Sequence, residues 1–182
     1  MKKIKILIFL VILPFLAQSQ SHELSLSYSP LSVYKLGHSV EDGLTETNHF
    51  VLGAITFDYF HTMNNWLKLG VSMMFDQERA EGLVNYGPID EYEKTNSVFV
   101  IASQVDFVYV NKKYFKLSSG LAFGYAFNKQ TSTEGLVLYE GINGFTGHLN
   151  LISFRWGLKK GLYGYMGGGY KGFLGLGFFV RI

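Results

Sequence analysis

A chain of 182 residues, 48% hydrophobic and 16% aromatic, holds one core and one domain. Its formal charge of +2 includes Lys2, Lys3 and Lys5 in a leader-like start; without them thirteen Lys+Arg face 14 Asp+Glu, which argues against a nucleic-acid surface. Lack of cysteine excludes a disulfide framework, a thiolate metal site and a lipid anchor on cysteine.

The first residues have the three parts of a secretory signal. The three lysines form the charged region, Ile6–Leu16 the apolar region interrupted by Pro14, and Ala17 and Ser19 the small residues before a cut. The apolar run is shorter than the roughly 20 residues of a spanning helix. The expected domains are therefore a removed signal over 1–19 and a single mature domain over 20–182. No later apolar run reaches spanning length, so any membrane crossing falls to strands.

Period-two alternation recurs along the mature chain in segments of about ten residues. Leu24, Leu26 and Tyr28 alternate with serines; Ile55, Phe57 and Tyr59 with Thr56 and Asp58; Leu67–Phe75 with Lys68, Gly70 and Ser72. Ile101–Tyr109 opposes Ala102, Gln104 and Asp106, and Phe115–Phe127 opposes Lys116, Ser118, Gly120 and Gly124. Between Gly144 and Trp156 the phase changes at Leu151-Ile152, which predicts a β-bulge. Leu162–Tyr170 and Leu174–Ile182 follow, joined by a two-residue turn at Lys171-Gly172 that sets Tyr165 opposite Phe178 and Met166 opposite Gly177. The expected fold is all-β, an eight-stranded antiparallel up-and-down transmembrane barrel.

Connection lengths alternate in the same sense. Long segments over 31–48, 78–96 and 129–143 carry most of the acid, and short ones over 61–65, 111–113 and 158–161 carry lysines. Short turns on the periplasmic side and long loops outside are the outer-membrane pattern. The weaker face is mostly Gly, Ala and Ser, which suits a narrow interior rather than a water-facing wall. Aromatics predict two interfacial girdles, with Tyr59, Tyr109, Phe115, Trp156 and Tyr163 near the short turns and Tyr28, Phe75, Phe99 and Phe127 near the loops.

On the inward parity Glu23, Asp58, Lys68, Asp106, Lys116, Arg155 and Arg181 fall at similar depth near the short turns. Folding about Met63 pairs Asp58 with Lys68, folding near Asn111 pairs Asp106 with Lys116, and closing the barrel brings Glu23 to Arg181. The expectation is a nearly balanced ion-pair network that fills the periplasmic half of the lumen, since buried charges persist when paired. Its reading is structural, with a gate or proton path as the sharper rival.

The histidines lie at no metal-ligand spacing, and neither His148 with Ser153 nor Ser103 forms a defensible catalytic set. No metal, cofactor or catalytic residue is expected.

From Gly147 onward, the run Gly-His-Leu-Asn-Leu-Ile, a further strand and Gly167-Gly-Gly-Tyr-Lys-Gly-Phe-Leu-Gly-Leu-Gly-Phe178 resemble the closing strands of small outer-membrane β-barrel proteins of Bacteroidota. That resemblance implies an eight-stranded barrel inserted by the barrel-assembly machinery, with outer-membrane lipid and lipopolysaccharide as its surroundings. The final residue is Ile182 where such strands often end in phenylalanine. A lipid A deacylase barrel is similar in size, but its His-x-Ser motif is absent. The expected function is a non-enzymatic outer-membrane protein acting structurally or through acidic external loops; a lipid A-modifying enzyme and a narrow passive pore are the alternatives.

Overall fold

The computed structural model describes residues 22–32, 44–84, 91–132 and 143–182. The expected signal over 1–19 and parts of the three long connections lie outside them. The strands are β1 (His22–Ser29), β2 (Leu44–Val51), β3 (Ala54–Thr62), β4 (Leu67–Val84), β5 (Glu91–Asn111), β6 (Phe115–Ser132), β7 (Gly144–Gly157), β8 (Lys160–Gly169) and β9 (Leu174–Arg181).

Eight of them close a ring in the order β1-β3-β4-β5-β6-β7-β8-β9, every pair antiparallel, with β9 returning to β1. The seam is sealed by mutual backbone hydrogen bonds between His22 and Ile182 at 3.1 and 2.8 Å. Bulky apolar side chains point out: Leu26, Phe57, Val71, Ile101, Leu121, Leu149, Leu176 and Phe178 are all exposed. The inward positions are buried and largely small or polar, among them Ser25, Ser27, Thr56, Ser72, Ala102 and Ser118. The barrel is inverted relative to a soluble protein, with its greasy face outward.

The ninth strand corrects the sequence reading, which left residues 31–48 as loop. β2 pairs with the far half of β4, from Val51 opposite Glu78 to Leu44 opposite Val84, so β2 and β3 together form one long strand broken at Leu52-Gly53. Gly53 has φ 89°, a conformation that favours glycine. The segment 78–96 is likewise mostly strand: β4 and β5 stay paired out to Leu83 and Glu91. β5 has 21 residues, far more than the 9–11 a tilted crossing needs, so its outer half projects beyond the wall.

Three registers differ from those expected. The β3–β4 connection is wider than a fold about Met63, because Asn64 Oδ1 accepts from the amides of Trp66 and Leu67 at 3.0 and 2.8 Å and fixes the turn around Asn65. Asp58 therefore faces Ser72, while Lys68 faces Thr62, roughly 13 Å further along the strand. The β5–β6 turn closes by Lys112 N to Phe115 O at 2.9 Å, so Asp106 faces Gly120 and Lys116 faces Asn111. A side chain at Gly120 would strike the Asp106 carboxylate.

In the third case, the β8–β9 ladder runs Tyr165 opposite Gly175 and Met166 opposite Leu174. This odd displacement reverses the β8 faces. Met166 lies outside, and Tyr163, expected in the girdle, lies wholly inside opposite Gly177. Gly175 makes room for the Tyr165 ring rather than for Met166, and Gly177 for the close approach of the β1 backbone at Leu26-Ser27. The bulge falls between Asn150 and Ile152, where Leu151 and Ile152 are both exposed.

Candidate functional site

Two polar clusters fill the lumen. The lower one, at the short-turn end, is built on inward residues of six strands. Glu23 (β1) takes Lys68 Nζ at 3.0 Å and Arg155 Nε at 2.5 Å on Oε1, and Arg181 Nε at 2.8 Å on Oε2. Arg155 (β7) also donates from Nη2 to Asp106 Oδ2 and from Nη1 to Ser118 Oγ, both at 3.0 Å. Ser118 and Ser153, opposite each other on β6 and β7, share a hydrogen bond of 2.7 Å. The Arg155 guanidinium lies between the rings of Phe60 and Tyr163, 5.1 and 4.8 Å from their centroids. A guanidinium offers a planar face to each ring and a fork of donors to two carboxylates, which lysine could not do.

The structure thus brings together Glu23, Lys68, Asp106, Arg155 and Arg181. It separates the other two residues of the expected network. Lys116 sits half-buried at the rim beside Arg155 rather than Asp106, and Asp58 belongs to a different cluster. The excess of one cation is kept: three cations share two carboxylates.

The upper cluster depends on a residue that the sequence reading left in a turn. After β8 the chain bends at Gly169 and Gly172, with φ 126° and 87°, and Gly172 N donates to Gly169 O at 2.9 Å. The turn folds into the barrel mouth. Lys171 is fully buried; its Nζ donates to Asp58 Oδ1 at 2.6 Å and Gln104 Oε1 at 2.8 Å, and its carbonyl accepts from Tyr165 Oη at 2.7 Å. Tyr170 packs with Ala54, Met74, Val98, Val100 and Ala102. Phe173 N donates to Leu31 O at 3.0 Å, tying the turn to the segment after β1. The glycines on both sides of Tyr170-Lys171 were the only sequence signal for this inward fold.

Neither cluster assembles a nucleophile with a base. His148 bonds Asn150 Oδ1 at 2.9 Å and meets Tyr165 edgewise and Tyr170 at a tilt, whereas Ser153 is engaged by Ser118. Ser103 points outward. Among the described residues no three His, Asp or Glu side chains are grouped to hold a metal ion.

No protein-family model matches the chain, and no curated protein matches it. Among solved structures it is similar to the backbone structure of the Yersinia pestis outer membrane protein Ail in a phospholipid bilayer nanodisc, at 14% identity and a TM-score of 0.37. That match covers 90% of this chain and 98% of the other.

Proposed function

We propose that the protein is a non-enzymatic integral barrel of a Gram-negative outer membrane, of the small Bacteroidota type that its closing strands resemble. One observation carries this reading: a predominantly apolar wall surrounds a lumen packed with paired charges. A lipid bath stabilises such a wall at roughly 25 cal/mol per Å² of apolar surface removed from water, whereas water would drive it to aggregate. The lumen supports rigidity over transport, because Arg155, Tyr163, Tyr165, Lys68 and Lys171 fill its cross-section. Acid in the external segments and the projecting β4–β5 hairpin favour a contact role outside the cell, with lipopolysaccharide around the outer wall.

Planar-bilayer recording of the purified barrel, together with incubation on labelled lipopolysaccharide, tests the reading. Silence in both is expected. Steady conductance steps would replace the plug with a pore, and released acyl chains would replace the scaffold with an enzyme.

A further inference from the structure

We infer that the short-turn mouth of the barrel is a binding site for a phosphate-bearing anion. A hollow of about 520 Å³ opens there, lined by Lys112, Lys113, Lys116 and Arg181 with the amides of Asn65 and Asn111. Every charged group on its surface is cationic. Three separate turns supply the walls, and hydrogen bonds hold them in place. Asn111 Nδ2 donates to Asn65 O at 3.1 Å, linking the β3–β4 turn to the end of β5. Lys112 N closes the β5–β6 turn on Phe115 O, and Arg181 Nη1 donates to Leu158 O at 2.9 Å.

The three lysines around this hollow are uncompensated. Behind it, Glu23 and Asp106 are already shared among Lys68, Arg155 and Arg181. Lys116 stands directly opposite Arg155, a like-charge pair that a sheet tolerates poorly. Among the described residues Lys112, Lys113 and Lys116 have no ion-pair partner, and Arg181 Nη2 is buried without an acceptor. Ammonium groups and side-chain amides converging on one space, with the Arg181 charge behind them, are a donor set for a phosphate, whose oxygens accept from several directions. The hollow exceeds a bare phosphate and admits a phosphodiester with its glycerol. A phospholipid headgroup and a soluble phosphate ester share this chemistry.

The test uses the folded barrel in detergent, ¹⁵N-labelled and titrated with inorganic phosphate. Saturable shifts are expected at the amides of Asn65, Lys112, Lys116 and Arg181. Lys112→Gln/Lys113→Gln/Lys116→Gln should weaken them about tenfold, and Lys129→Gln, an exposed cation at the opposite end, should leave them unchanged. A second arm releases the barrel from mixed micelles with equal phosphatidylglycerol and phosphatidylcholine and weighs the lipid retained by native mass spectrometry. Phosphate shifts alone identify a soluble ester, and preferential retention of phosphatidylglycerol identifies a headgroup; either supports the site. Failure of both arms, or binding that survives the triple substitution, overturns it. Should Lys116 prove necessary for folding, Lys112→Gln/Lys113→Gln carries the same comparison on exposed side chains. The phosphate arm reads only the hollow, so its failure leaves the reading of the apolar wall untouched.

Discussion

The lumen's two halves are stabilised by the same kind of contact and built in different ways. In the lower half every charged group stands on a strand, and strand register alone brings Glu23 to Arg181 and sets Lys68 opposite Asp106. In the upper half the cation arrives from above, on a turn that bends inward to reach Asp58. A ladder-built cluster can be disturbed only by unmaking the barrel. A turn-built one can in principle be withdrawn while the barrel stands.

Substitutions that leave charges stranded separate the two. Arg155→Met should have the largest effect, because it leaves both Glu23 and Asp106 short of their shared partner; unfolding in urea should show a loss of about 3–5 kcal/mol. A shift within error would mean that the lower cluster does not hold the strands. Lys171→Met should cost less, about 2–3 kcal/mol, since Tyr170 still anchors the turn. It should also produce channel events in planar bilayers that the parent lacks, and adding Asp58→Asn should recover most of the stability. Loss of stability without any conductance would make the turn a brace rather than a stopper.

Gly175→Ala addresses the register that joins the two regions. The added methyl would run into the Tyr165 ring, an overpacking cost of about 1–3 kcal/mol that Tyr165→Leu should relieve. If the tyrosine substitution gives no relief, Tyr165 does not face Gly175. Lys116→Gln should be the mildest, within about 0.5 kcal/mol of the parent by the same urea midpoint. A large loss there would restore the Asp106 pairing that the sequence alone suggested.

Alternation made the barrel legible because lipid demands apolar residues at every second position, and a bulge announces itself as a break in that rhythm at Leu151-Ile152. Depth was harder to read. Moving the centre of the β3–β4 turn from Met63 to Asn65 preserves every face yet slides Lys68 from Asp58 to Thr62, and nothing in the apolar pattern registers such a slide. β8 concealed its phase as well, because Tyr163 and Tyr165 are as bulky as Leu162 and Met166. The glycines opposite them on β9 held the answer. Lys171 was least legible of all, since a turn residue has no periodicity from which to infer where it points.

The seam between β1 and β9 also bears on the order of events in assembly. Lys68, 45 residues from Glu23, is within its reach early. The Glu23–Arg181 contact joins residues 158 apart in sequence, so almost the whole chain must be confined before that contact forms. Closing a loop of that length costs several kcal/mol of chain entropy with little local reward on the way. Hairpins such as β5–β6 can form early and cheaply. Ring closure, by contrast, is expected to come late, and until it happens Arg181 is free to keep its water.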